Sequence, residues 1–177
     1  MKICIDPGHG GSDPGAVGKT PFVLKEKDFN LALSLLLRDA LEAEHEVIMT
    51  RYVDRALSLS GRAKFANRYA ADLFISIHAN AAAVTSAEGM EVFHFPGSQR
   101  GNQLAGTVLR EMLHAFPDHR DRGVKAANFT VLRLTQMPAI LVEAEFLSNP
   151  DQLEFLADAA NQKRMASAIA RGLPAVL

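Results

Sequence analysis

Four residues in this sequence have the chemistry of a hydrolytic site: His9, Glu26, His78 and Glu143. Two imidazoles and one carboxylate make a ligand set that zinc accepts, with water in the fourth tetrahedral position. A second carboxylate near that water is the base a hydrolase needs. Residue type and spacing do not say which glutamate is ligand and which is base. Three of the four follow an apolar run: His9 lies in the glycine-rich loop after KICID, His78 ends LFISI, and Glu143 ends AILV. Glu26 stands just before or within the first turn of the helix that this loop feeds.

The elements that must position these groups can be read along the chain. Lys2 to Asp6 predicts a strand halted by Pro7 and the glycines behind it. Phe29, Leu33, Leu36, Leu37, Ala40 and Leu41 recur at helical spacing and predict a long amphipathic helix. Glu46 to Arg51 reads as a strand, and Ser60 is expected to cap a helix through Ala70. Leu73 to Ile77 predicts a strand buried on both faces, and Gly89 to Phe95 a half-exposed strand near an edge. Ser98 opens a helix with Leu104, Val108 and Met112 on one face; Phe129 to Leu134 and Ala139 to Val142 read as the last two strands. Asn149-Pro150 opens a helix, and a final one runs over Met165 and Ile169 to Gly172. Strands alternating with helices predict an α/β fold: a twisted, mostly parallel sheet of about six strands flanked by helices, in a single domain over residues 1–177. In such sheets the carboxyl ends of the strands line the ligand crevice, which would gather His9, His78 and Glu143 on one rim.

Composition sets the outer bounds. The 177 residues are 48% apolar and 22% charged, which excludes a disordered chain or a coiled coil. Lysine and arginine number 19 against 20 for aspartate and glutamate, so no nucleic-acid or anionic-lipid partner is expected from charge. The lone cysteine, Cys4, excludes an intramolecular disulfide and reads as a small buried hydrophobe. Apolar runs are too short for membrane insertion, and MKICID opens as a strand rather than as a signal segment. An extracellular role is therefore expected to use a removed leader, another export route, or release by lysis. The glycines at 8, 10 and 11 give GxGG rather than GxGxxG, against a dinucleotide site, and Ser76 lacks the Gly-flanked elbow of a serine hydrolase. His45, His94, His114 and His119 read as structural or solvated.

Longer strings carry a resemblance. DPGHGGSDPGA from Asp6, EKDFNLAL from Glu26, RAKFAN from Arg62 with DLFISIHAN from Asp72, and RGVKAANFTVLRLTQMPAILVEAEFLSNP from Arg122 resemble, in order, the motifs of the zinc-dependent N-acetylmuramoyl-L-alanine amidases, the amidase_3 family. The resemblance implies zinc held by His9, Glu26 and His78, with Glu143 as general base and then acid. It implies a peptidoglycan hydrolase that cleaves the amide between N-acetylmuramic acid and L-alanine of the stem peptide, acting in the cell wall, periplasm or extracellular space as a phage lysin or bacterial autolysin. A zinc exopeptidase, a deacylase on another amide, and a non-catalytic wall-binding module are the competing readings.

Asn80 is expected to orient the site or cap its loop, and Arg122 to meet substrate carboxylates or solvent. The sequence has Glu143-Ala144-Glu145-Phe146 where the family usually has Glu-x-Gly-Phe. Glu145 is expected either to share a face with Glu143 and raise its pKa, or to turn into solvent, the second being favoured. PFVLKE before Glu26 replaces a stretch that is more often glycine-rich in the family. The interval from His78 to Gly89 is too short for an inserted inhibitory helix, no wall-binding repeat is readable, and a monomer is expected.

Overall fold

The computed structural model describes residues 1–173. In chain order its elements are β1 (Lys2–Pro7), β2 (Val17–Gly18), β3 (Leu24–Lys25), α1 (Glu26–Leu41), β4 (Glu46–Met49), α2 (Leu59–Arg68), β5 (Leu73–Asn80) and β6 (Met90–His94). There follow α3 (Gln99–Ala115), β7 (Asp121–Ala126), α4 (Thr130–Arg133), β8 (Ala139–Phe146), α5 (Pro150–Ala157) and α6 (Ala159–Gly172). Six strands form one sheet in the order β4-β1-β5-β8-β6-β7, and β2 pairs with β3 as a separate small ribbon. Strands β4, β1, β5 and β8 are parallel; β6 runs antiparallel to β8, and β7 runs parallel to β6. The α/β architecture and the mostly parallel six-stranded sheet therefore stand as read from the sequence.

The reversal of β6 and β7 matters for the site. It brings the beginnings of these two strands to the rim where β1, β5 and β8 end. Glu91, near the start of β6, lies opposite Glu143.

One sheet face carries the main core. Ile3, Ile5, Ile75, Ile77, Val92, Ile140 and Val142 pack against Phe29, Leu33 and Leu37 of α1, Leu104 and Val108 of α3, and Met165 and Ile169 of α6. The four-residue spacing of Phe29, Leu33, Leu37 and Leu41 keeps one stripe of α1 buried. Each such side chain contributes roughly 1.5–3 kcal/mol relative to exposure. This packing fixes where α1 begins, and Glu26 is its first residue. The opposite face has a smaller core of Cys4, Phe74 and Leu141 under Ala66, Val131 and Leu132.

Several local expectations are corrected. Residues 129–134 do not form a strand: Thr130–Arg133 is the one-turn helix α4. Val131 and Leu132 are adjacent and both buried, whereas a strand sends neighbours to opposite faces. The β-branched run imitated a strand because short apolar runs carry no decisive period. The cap of α2 is Ser58, which accepts from the Gly61 N–H, and the helix ends at Arg68 rather than Ala70. Strand β4 stops at Met49, which frees Thr50 and Arg51 for side-chain work below. Strand β7 went unread because DRGVKA, at the sheet edge, lacks a buried apolar alternation.

Candidate metal centre and cleft

His9 follows β1 in a left-handed conformation, φ +59°, that costs a non-glycine residue local strain. Two buried arginines hold the loop in place. Arg62 donates to the carbonyls of Pro7 (2.7 Å) and His9 (2.6 Å), and Arg51 to those of Pro7 (2.9 Å), Gly8 (2.9 Å) and Lys27 (2.8 Å). Asp6 anchors Arg62 at 2.8 Å and also accepts from Thr50 (2.6 Å) and Ser76 (2.8 Å). Ser76 is thus committed to this network, in agreement with its exclusion as a nucleophile.

Glu26 lies between the two imidazoles. Its Oε2 is 3.0 Å from His9 Nε2, and its Oε1 is 2.8 Å from His78 Nδ1. Ligand atoms of His9, Glu26 and His78 all lie within 4.8 Å of one another. Two ligands at about 2.0–2.2 Å from a tetrahedral zinc stand about 3.4 Å apart, so the three groups fit one ion. Asp13 Oδ2 takes the other ring nitrogen of His9, Nδ1, at 2.8 Å, the partner that orients a metal-ligating histidine. Close approach is built in, because a Cβ on Gly8 would overlap the His78 imidazole. One on Gly15, at φ +65°, would strike Glu26 Oε2 and His9 Cδ2.

The electrostatics agree with a cation site. Burial alone would raise the Glu26 pKa; hydrogen bonds from His78 and His9, and their charge, outweigh it and hold the carboxyl well below the usual range. His9 is shifted upward, chiefly by its hydrogen bond to Glu26 against the opposing effect of burial. The centre is a buried anion held by two protonatable donors, which a divalent cation can replace. Among the described residues, His9, Glu26 and His78 are the group with metal-ligating geometry.

Glu143 faces the same centre from β8, in register with His78 on β5. Its Oε2 is buried and has no hydrogen-bond partner. Burial, followed by the charges of Glu26 and Glu91, raises its pKa well above the ordinary value. A cleft of about 480 Å³ opens over His9, His78 and Glu143, with Leu57, Leu59 and Phe129 as an apolar wall.

The remaining sequence candidates fall outside the ligand set. Asn80 donates to Glu91 at 2.7 Å and caps its own loop by accepting from the Ala81 N–H at 2.9 Å. Arg122 Nε donates to Glu91 at 2.9 Å, and Lys125 reaches the same oxygen. Glu145 is neither solvated nor beside Glu143. It is fully buried and accepts from His119 Nδ1 (2.9 Å) and the Gly89 N–H (2.8 Å). A bulge explains the reversal: His78 pairs with Glu143 but Asn80 pairs with Phe146, so β8 carries one extra residue and the alternation breaks. Sequence reasoning missed Asp13, Arg51, Glu91 and Lys125, and saw Arg62 only as part of a motif. Asp13, four residues after His9, was the readable one; Glu91 required knowing that β6 runs backwards.

A family model described as Amidase_3, N-acetylmuramoyl-L-alanine amidase, matches residues 3–175. The N-acetylmuramoyl-L-alanine amidase CwlM of Bacillus licheniformis is 40% identical over 176 residues, covering 98% of this chain and 67% of that protein. Among solved structures, an N-acetylmuramoyl-L-alanine amidase from Clostridium difficile 630 superposes with a TM-score of 0.93 at 36% identity, over 97% of this chain and 93% of the other. The catalytic domain of CwlV from Bacillus (Paenibacillus) polymyxa var. colistinus gives 0.90 at 36% identity, over 97% and 94%.

Proposed function

The chain belongs to the N-acetylmuramoyl-L-alanine amidases of the Amidase_3 family, and on that premise we propose that His9, Glu26 and His78 hold a zinc ion beside Glu143 as the proton-carrying group. It is a peptidoglycan hydrolase that cuts the amide joining N-acetylmuramic acid to L-alanine of the stem peptide. The exopeptidase, deacylase and binding-module alternatives find no support. The observation that carries the site assignment is Glu26 bridging two imidazoles next to a carboxylate with a partnerless buried oxygen.

Zinc held by His9, Glu26 and His78 would supply Lewis-acid polarisation of an amide carbonyl and would bring the pKa of a water to about 7. The protein's own residues do the rest. Asp13 fixes the His9 ring through Nδ1, and Ala16 N–H at 2.8 Å from Glu26 Oε2 fixes the carboxylate between the rings. The raised pKa of Glu143 makes its carboxylate a stronger proton acceptor than a solvated one. Glu143 takes the proton from the attacking water and returns it to the departing alanine nitrogen, without which the amide would re-form. The apolar wall of Leu57, Leu59 and Phe129 limits bulk water beside the scissile bond. We read its place of action as the cell wall, where the substrate lies, in keeping with relatives such as the probable cell wall amidase LytH of Staphylococcus aureus. Among the described residues no helix is long and apolar enough to cross a membrane.

Digestion of purified sacculi tests the proposal. The expected products are stem peptides with a free N-terminal alanine and uncut glycan chains. A chelator should stop the reaction and zinc restore it. New reducing ends from glycan cleavage, or activity indifferent to chelation, would overturn it.

A further inference from the structure

The stretch of rim beside Glu143 carries more positive charge than its own acid needs. Glu91 is buried, 3% exposed, and both its oxygens are engaged: Oε1 by Asn80, Oε2 by Arg122 Nε and Lys125 Nζ. One cation would neutralise that carboxylate, so the second leaves a net positive charge. The Arg122 side chain is 28% exposed and that of Lys125 38%, which leaves both accessible. The Arg122 guanidinium is set 4.8 Å from the Phe146 ring centre, and its Nη1 reaches only the Glu88 carbonyl at 3.3 Å. Among the described residues, Arg122 Nη2 and the other Nζ protons of Lys125 have no acceptor. The side chains that carry these open donors are held in place by Glu91 and, for Arg122, by the Phe146 ring.

Their position is set by the sheet. Glu91 lies directly opposite Glu143 across the β6–β8 pair, so the two side chains stand on one face about 4.5–5.5 Å apart at Cβ. Asp13 and Glu26 on the other side of the site are taken up by His9 and the metal position, so the open donors that an anionic part of a substrate meets on this rim are those of Arg122 and Lys125.

We propose that Arg122 and Lys125, braced by Glu91, form a carboxylate-binding subsite that receives an acidic group of the peptide stem while the muramoyl amide lies over the metal centre. The inference rests on the amidase reading above. A stem peptide ends in a carboxylate, and any acidic residue beyond the first alanine adds another. The subsite fixes the direction of the peptide across the rim, from the amide at Glu143 toward β7.

The test uses soluble glycan fragments of matched length whose stem peptides carry either free or amidated carboxylates. Wild-type protein with bound zinc is expected to prefer the free acid by about fivefold to tenfold in kcat/KM, carried by KM, and to lose that preference as salt is added. Arg122→Gln and Lys125→Gln are each expected to bring the ratio to about twofold or less, while Arg122→Lys retains part of it. A wild-type ratio near one, or variants that slow both substrates equally, would overturn the subsite in favour of a purely structural role around Glu91. If the wild type cleaves neither fragment and leaves sacculi intact, the amidase reading fails and the subsite falls with it.

Discussion

Glu143 combines a buried, partnerless Oε2 with a raised pKa, which suits proton transfer and opposes stability. Glu143→Gln is expected to lower the rate by at least about 10²-fold while metal content, measured by elemental analysis, is kept. The same variant has a pH signature in the metal-free protein. A carboxyl whose folded pKa lies above its ordinary 4.5 keeps its proton in the native state after the unfolded chain has lost it. Wild-type stability is therefore full below that value and falls as pH rises toward the folded pKa, at no more than about 1.4 kcal/mol per pH unit. Urea melts from pH 5 to 8 should show Glu143→Gln gaining on the wild type; a constant difference would contradict the raised pKa. Asp13 would act on a bound metal through its contact with His9 Nδ1. Asp13→Asn is expected to weaken zinc binding about 10- to 100-fold in a competition titration with little change in melting temperature.

At the scale of elements, the bulge in β8 separates two glutamates that strict alternation would place together. Glu145 serves packing: His119, which it holds, lies against the rings of Phe116 and Phe155. Glu145→Ala would leave the Gly89 N–H and His119 without their acceptor in a buried site. It is expected to cost about 1–3 kcal/mol in urea melts, mostly as stability rather than as lost metal. Helix α1 shows the complementary dependence. Leu37, fully buried on its core stripe, is expected to cost about 2–5 kcal/mol when cut to alanine, with zinc affinity kept in the molecules that remain folded.

In the whole molecule, the main core and the metal centre are separable. The core lies along the sheet face under α1, α3 and α6, whereas His9, Glu26 and His78, the group that could hold a metal, stand at the rim. Removal of zinc by a chelator is therefore expected to lower the melting temperature without abolishing cooperative folding. At a free-metal concentration about a hundred times Kd, the metal adds about 2.7 kcal/mol. A shift of about 5–11 °C follows for a chain of this size, and differential scanning calorimetry can measure it. A chain that unfolds entirely on chelation would place the metal in the core's own stability.

The sequence by itself determined the α/β class, the apolar strands that carry His78 and Glu143, though not their ends, since β5 runs on to Asn80 and β8 to Phe146, the place of Glu26 just before or within the first turn of α1, and the ordered motifs of the family. These are written in local period and residue type, which survive in one dimension. Residue type and spacing left open which glutamate binds metal, an assignment that only the resemblance implied, and the sequence misplaced Glu145 and residues 129–134. Tertiary structure decided how these segments meet, because those facts are relations between distant parts of the chain. The reversal of β6 and β7 brings Glu91 and Arg122 to the rim, the β8 bulge redirects Glu145, and two arginines from separate segments hold the carbonyls around His9. Strand direction, register shifts and buried side-chain-to-backbone bonds depend on the path of the whole chain, and no local pattern encodes them.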